Sequence, residues 1–415
     1  MAQEFLLSPQ CSLSSSAPDR SDPARSGCPH RCSRRGSLDA PPRSATERRP
    51  AWTGPSARSR PNLVPVCGKI TSRIAGQSFQ KSRQHHRARL NVLRTETEFV
   101  SWLRAQVPSG ARGLEIGIGD DGAIVEVRRG HKLVLKADMS IEGVHFTRRV
   151  HSPRSVGHRA LARSLSDVAA MGGTPRFALT SLAISRVATR AWLRELYAGM
   201  LALAKQFAVI LVGGDTAVVA GKTVLDVMVA GEVKRGMELR RSGARPGDQI
   251  YVSGRLGLSA LGLRLLESGR RPSPQDAGAI RAHLYPEPRC ALGRYLSRQR
   301  LASALIDISD GLSTDLAHLC ESSGVGARVR ADLIPGPEFP TGHVPNSLDL
   351  ALHGGEDYEL LFTVPPGKTG QVPVRFRDLP LHRIGEIRRS KGVALVRPDG
   401  TATPLGPGGY DHFAK

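Results

Sequence analysis

From residue 114 onward the chain alternates short apolar runs with longer stretches of helical period, the pattern of an α/β fold. Residues 114–118 and 123–127 predict two strands around a Gly-Asp-Asp-Gly turn, and 132–138 a third. Ser152-Pro153 then offers an N-cap and a first-turn proline to a helix carrying Val156, Leu161, Leu165, Val168 and Met171, closed by Gly172-Gly173. A strand over 177–184, a helix from 191 to about 207, and strands over 209–212 and 223–229 come next. Beyond the polar turn cluster Ser242-Gly243-Ala244-Arg245-Pro246-Gly247-Asp248, the pattern predicts strands over 249–252, 304–308, 358–364 and 393–396. Helices are predicted over 258–266, 291–296 and 313–320. The expectation is a mixed α/β (α+β) chain of two domains, 93–240 and 241–415, with no short repeat.

Ahead of this pattern, residues 1–92 contain almost no apolar run, and patterning begins at Thr95-Glu96-Thr97-Glu98. This reads as a capping box opening a helix with Phe99, Val100, Trp102 and Leu103. Residues 1–90 hold sixteen Lys/Arg against five Asp/Glu, half of the chain's net charge of +22. The basicity is therefore concentrated in the first segment, and the remainder, more than three times as long with the same excess, is only mildly basic. That removes the charge argument for a nucleic-acid-binding fold. The segment is expected to be disordered, because it cannot bury enough surface to offset its ordering entropy. Three origins compete for it: an organelle transit peptide, a basic nucleic-acid tail, or translation from a start codon placed too early, which we favour. It carries Cys11, Cys28, Cys32 and Cys67, and no second ligand pair completes a zinc site around Cys28, His30 and Cys32. No window has the length of a membrane span, and the cysteine usage fits a reducing cytoplasm.

The candidate chemistry lies in six aspartate-bearing segments. They are Gly117-Ile118-Gly119-Asp120-Asp121, Lys136-Ala137-Asp138, Leu165-Ser166-Asp167, Gly213-Gly214-Asp215-Thr216, Ile306-Asp307-Ile308-Ser309-Asp310-Gly311 and Gly354-Gly355-Glu356-Asp357. Each alone reads as a turn or cap. Together they are what a fold would need to gather hard oxygen ligands around several divalent cations. Asp215 is expected just beyond a strand, where open sheets put ligand-binding residues, and Asp307 and Asp310 in a strand-to-helix turn whose amides could hold phosphate.

Two phosphate motifs are excluded. Gly117-Ile118-Gly119-Asp120-Asp121-Gly122 spells a dinucleotide fingerprint, but residues 123–127 are strand-like, and the fingerprint must open a helix. Gly221-Lys222-Thr223 lacks the glycine a P-loop needs at position 216 and is expected to be a hairpin tip.

These segments resemble bacterial thiamine-monophosphate kinases, in the aminoimidazole-ribonucleotide-synthetase-like superfamily. The resemblance also covers His145-Phe146, Ala169-Ala170-Met171-Gly172, Arg241-Ser242-Gly243-Ala244, Gly354-Gly355-Glu356-Asp357-Tyr358-Glu359-Leu360 and the closing Gly409-Tyr410-Asp411-His412-Phe413. It extends over about 96–415 and implies ATP-dependent phosphorylation of thiamine monophosphate to thiamine diphosphate by in-line transfer, in a homodimer formed partly through the N-terminal sheet. It further implies Asp121, Asp138, Asp167, Asp215, Asp307 and Asp310 as Mg²⁺ ligands. Tyr197, Gly214, Asp215, Arg241 and Ser309 are implied as ATP contacts, and His145, Glu356 and Tyr410 as thiamine phosphate contacts. No membrane or nucleic-acid partner and no covalent or general-base residue is implied.

One departure stands out. The family usually carries two hydroxyl residues before the third metal aspartate, where this chain has Lys136-Ala137. Either the Lys136 ammonium replaces part of a metal's charge, or it turns away along its strand. Rival readings are aminoimidazole ribonucleotide synthetase, a hydrogenase-maturation enzyme, or a basic nucleic-acid-binding protein on an inactive fold. A selenophosphate synthetase would need a reactive Cys before Gly117, which this chain lacks in the expected glycine-rich loop.

Overall fold

The structure, a computed structural model, describes residues 96–108, 110–119, 122–337 and 347–410. The expectations for residues 1–92, the metal role of Asp121 and the closing Asp411-His412-Phe413 lie outside the described residues.

In the first half, helix α1 (Glu96–Gln106) is followed by strands β1 (Leu114–Ile116), β2 (Ile124–Val125) and β3 (His131–Ile141). Then come α2 (Pro153–Ala170), β4 (Thr174–Ser185), α3 (Arg190–Gln206), β5 (Ile210–Val219) and β6 (Val224–Lys234). The long strands form a four-stranded sheet in the order β3-β6-β4-β5, with β4 and β5 parallel and the other pairs antiparallel. β1 and β2 form a separate antiparallel ribbon. The chain after Gly122 therefore enters a strand, which disposes of the dinucleotide fingerprint.

Residues 220–223 link β5 to β6, but those strands are not neighbours, so the segment is a crossover past β4 and not the expected hairpin tip. A second expectation also fails locally: β5 does not stop at 212 but runs on through Gly213-Gly214-Asp215-Thr216. Glycine makes this continuation possible, since a Cβ on Gly214 would stand 2.0 Å from the Thr180 carbonyl oxygen of β4.

α2 starts as its sequence dictates. The Ser152 side chain accepts the Ser155 N–H at 3.2 Å and Pro153 occupies the first turn. Its contacts with α3 are made at glycines: a Cβ on Gly157 would lie 1.9 Å from the Leu196 carbonyl of α3, and one on Gly199 of α3 1.9 Å from the Arg154 carbonyl. Backbone thus meets backbone, and α2 and α3 lie against one face of the sheet with Leu161, Leu165, Leu193, Leu196 and Val227 fully buried between them. The opposite face is different. The β1–β2 ribbon packs over one end, on Phe177, Ala230 and Ile210, while Leu133, Leu135 and Met139 of β3 remain 45–59% exposed.

The second half contains β7 (Gln249–Ser253), α4 (Leu258–Glu267), α5 (Ala277–Leu284), α6 (Cys290–Arg298), β8 (Ala304–Asp307), α7 (Leu312–Ser323) and β9 (Gly326–Arg330). It ends with α8 (Ser347–His353), β10 (Leu360–Val364), β11 (Arg375–Phe376), β12 (Leu379–Arg388), β13 (Gly392–Val396) and β14 (Ala402–Pro404). Its sheet runs β14-β13-β9-β12-β7-β10-β8, with β11 paired to β12. α5, β9 and β12 had no clear sequence signal. α6 settles on α2 at another close approach, Gly293 against the Ala169 carbonyl, so α2 is gripped from both halves. One core cluster correspondingly includes Leu161 and Leu225 together with Tyr251, Leu305 and Phe362.

Among the described residues no helix is long and apolar enough to cross a membrane. Cys290 and Cys320 are buried free thiols, and burial pushes each up to about 12.

Candidate active site

β3 and α2 meet where the sheet's inward face is polar. The strand period of two places Lys136 and Asp138 on the face shared by buried Val134, opposite Val229 and Val227 of β6. The Ser164 hydroxyl of α2 is shared between the Val227 carbonyl at 2.8 Å and Asp138 at 3.3 Å. Arg159, Arg163 and Asp167 recur every fourth residue along α2 and so share one helical face. Lys136 Nζ reaches across to this helix, 3.1 Å from Asp167 Oδ2 and 3.3 Å from Asp138 Oδ1.

The second half contributes the end of β8. Buried Asp307 accepts the Ser166 hydroxyl at 2.7 Å, so neighbouring residues of α2 address two parts of the cluster. Ser309 and Asp310 occupy the turn into α7 as expected. Its amides, however, are taken: Asp315 Oδ2 accepts the N–H groups of Ser309, Asp310 and Gly311 at 3.0, 3.0 and 3.2 Å. Those three are not open to phosphate, and Asp315 is a turn clamp that sequence reasoning missed. Asp310, Asp315 and His318 also form a tight grouping of potential metal-ligand atoms, but Asp315 is already engaged.

Two further segments dock on that turn. The Glu356 N–H donates to the Ser309 carbonyl at 2.7 Å and the Tyr358 N–H to Ile308 at 2.9 Å. Glu356 and Tyr358 both adopt left-handed φ, +56° and +52°, a strained arrangement of the kind held at functional sites. Arg159 donates to Glu356 at 2.6 Å from a buried position. The Tyr410 N–H donates to the Asp310 carbonyl at 3.3 Å, and the residue is 53% exposed.

The result is one cavity of about 440 Å³ lined by Lys136, Asp138, His145, Asp167, Arg241, Asp307, Ser309, Asp310, Glu356 and Tyr410. Arg163 also lines it and was missed, although its position four residues before Asp167, on the same helical face, was a readable signal. His145 is oriented by the Ile141 N–H, which donates to its Nδ1 at 3.0 Å. A second cavity, of about 470 Å³, is lined by Gly117, Gly119, Gly213, Gly214 and Tyr197. Tyr197 is otherwise a core residue, edge-on to Phe99 at 5.3 Å, with burial raising its phenol.

Asp215 joins neither cavity. It is exposed, and its register with Ser181 and Asp226 puts it on the sheet's outward face, away from Asp138. The structure therefore gathers Asp138, Asp167, Asp307 and Asp310 and does not bring Asp215 to them.

The electrostatics of the cluster suit a hard cation. Burial, then the Asp307 charge, push the Asp167 carboxyl up to about 8 against the pull of Lys136, and burial also raises Asp307. Asp138, Asp167 and Asp307 repel one another and Asp310 lines the same cavity, an oxygen-rich donor set of the type hard divalent cations take. Glu356 behaves oppositely. Burial would raise it, but Arg159 first and then His283 overcome that and hold it at about 2, so it is ionised at neutral pH.

A chain with two α/β halves, each with its own sheet, and a carboxylate cavity lined by residues of both defines a recognisable class, and the comparisons with known proteins agree. The AIR synthase related protein N-terminal domain matches residues 119–233 and the corresponding C-terminal domain matches 245–397. Thiamine-monophosphate kinase of Bacillus subtilis is 38% identical over 307 residues, covering 72% of this chain and 94% of the relative, and that of Salmonella typhimurium 39% over 316 residues, covering 74% and 95%. Within the AIR synthase related class, the chain belongs to the thiamine-monophosphate kinase family. The crystal structure of the Stenotrophomonas maltophilia thiamine-monophosphate kinase superposes with TM-score 0.65 at 36% identity, covering 73% of this chain and 96% of that one. AaThiL complexed with AMPPCP and TMP superposes with TM-score 0.62 at 33% identity, covering 77% and 97%. Hydrogenase maturation protein HypE shares the fold at 20% identity, with TM-score 0.61.

Proposed function

We propose that this chain is a thiamine-phosphate kinase, transferring the γ-phosphoryl group of ATP to thiamine monophosphate and releasing thiamine diphosphate and ADP. The observation that carries the reading is the convergence in one cavity of the carboxylate cluster with ionised Glu356 and the exposed Tyr410 ring.

A terminal phosphate oxygen of thiamine monophosphate attacks the γ-phosphorus, a new P–O bond forms, and the bond from that phosphorus to the β–γ bridging oxygen breaks. The attacking oxygen is already ionised near neutral pH, so no general base or covalent enzyme intermediate is needed. The chain's task is to hold two polyanions in line. Asp138, Asp167, Asp307 and Asp310 would hold Mg²⁺, with Asp121 as a further ligand; Asp215, on the outward face, would reach a metal only at a site completed by a second copy. When bound, the metal supplies the counter-charge for the phosphates. Arg241 and Ser309 contact ATP from the main cavity, and Gly214 and Tyr197 from the second. Glu356, ionised and paired with Arg159, offers a carboxylate edge to the thiazolium cation, Tyr410 a stacking surface and His145 a third contact to the thiamine phosphate.

The two domains are 93–240 and 241–415, and the location is cytoplasmic. The homodimer places a second copy over the outward sheet face, where Leu133, Leu135 and Met139 are exposed on the same face as Asp215. Light scattering should give twice the monomer mass.

The direct test is ADP release on adding thiamine monophosphate, with thiamine and an aminoimidazole precursor as controls. Release with the aminoimidazole substrate and none with thiamine monophosphate would transfer the chain to the rival enzyme. Absence of turnover with either would favour an inactive fold.

A further inference from the structure

The strand that carries Asp138 also carries a cation into the cluster. Lys136 lies two positions before Asp138, so the strand period commits both side chains to the inward face, and the antiparallel register with β6 locks that choice. To turn away, the ammonium would have to leave a face fixed over eleven consecutive pairs. Instead Nζ sits 3.3 Å from Asp138 Oδ1 and 3.1 Å from Asp167 Oδ2, bridging one carboxylate of the sheet to one of α2.

Those two oxygens are the ones a divalent ion joining the sheet to α2 would use. Mg²⁺ requires ligand oxygens at about 2.0–2.1 Å, so an ion and the ammonium cannot share the position. An ammonium also has three donors, and two aspartates leave one for a phosphate oxygen of a substrate.

We propose that Lys136 is a resident cation of this site: it replaces one divalent ion between Asp138 and Asp167, so the chain organises its carboxylates with one metal fewer than they would otherwise bind. The inference rests on the reading of the cavity as a metal–nucleotide site, but its test involves no turnover.

Mn²⁺ bound to the full chain is counted by electron paramagnetic resonance, with and without a non-hydrolysable ATP analogue, for wild type, Lys136→Thr, Lys136→Met and Lys136→Arg. Expected are about one additional ion per chain in the Thr and Met variants and an unchanged count in the Arg variant, which keeps the charge. Melting temperature supplies a second readout. In chelator the Thr and Met variants should melt below wild type, because Asp138 and Asp167 lose their counter-ion, and Mg²⁺ should recover that difference. Equal ion counts in all four proteins would overturn the proposal, as would a Thr or Met variant that melts like wild type in chelator. If neither neutral variant folds without metal, recovery of folding by Mg²⁺ supports it and failure of Mg²⁺ to recover it overturns it. A wild type that releases no ADP but shows these metal counts would sink the kinase reading and leave this inference standing.

Discussion

Two glycine-flanked aspartate segments, Gly213-Gly214-Asp215-Thr216 and Asp307-Ile308-Ser309-Asp310-Gly311, come after apolar strand starts and look alike in sequence, yet the fold treats them differently. At the second, β8 ends at Asp307 and α7 begins at Leu312, so the chain turns and Asp307, Ser309 and Asp310 enter the cavity. At the first, β5 runs on past Val212 to Val219 beside β4, and alternation sends Asp215 to the outward face. An aspartate after an apolar run is placed by whether the strand stops, and the strand stops only if its neighbour and the next element require it.

The largest effect expected is on catalysis. Asp307→Asn and Asp167→Asn preserve volume and remove charge, so folding should survive while phosphoryl transfer falls by about 10² or more. Asp215→Asn tests the other segment. If a second copy completes the site over the outward face, it should fall by a similar factor, and Leu135→Glu should lower activity and mass together. Activity of Asp215→Asn within a few-fold of wild type, alongside inactive Asp307→Asn, would show that the two segments differ in function as well as place.

Backbone geometry sharpens the contrast at intermediate cost. Gly214→Ala drives a Cβ to 2.0 Å from the Thr180 carbonyl, whereas Gly311→Ala, at φ +110°, meets His353 at 3.0 Å. Both should destabilise, Gly214→Ala by roughly 3 kcal/mol or more and Gly311→Ala by about 1–3 kcal/mol, measured by urea unfolding. A reversed order would mean that the β4–β5 edge yields more easily than the turn.

The smallest effect belongs to Tyr410, whose segment is tied to the start of α7 by the Tyr410 N–H on the Asp310 carbonyl and the Gly409 N–H on the Thr314 hydroxyl. Tyr410→Ala should cost about 1 kcal/mol of stacking, raising KM for thiamine monophosphate several-fold and leaving that for ATP nearly unchanged. An equal rise in both would make the C-terminal segment a packing element of the turn.

Much of the local architecture was legible. The Ser152-Pro153 start of α2, the turn between β8 and α7, and the strand carrying Lys136 and Asp138 all declare themselves through caps, prolines and alternation. Arg163 was readable and overlooked, since it stands four residues before Asp167 and so on the same face of α2. Other features were not legible. Asp315 looks like any first-turn acid until the amides of Ser309, Asp310 and Gly311 close on it. α5 and β12 lack strong periodicity and are recruited by what they pack against.

By itself the sequence determined the mixed α/β class, the helix starts, the family resemblance and the supply of carboxylates, because caps, turns and alternation act over a few residues. Tertiary structure decided the order β3-β6-β4-β5, the side of the sheet on which Asp215 falls, and the direction of Lys136 toward Asp167. Each depends on a partner strand or helix tens of residues away. Because side chains alternate along a strand, the choice of register alone determines which of them meet.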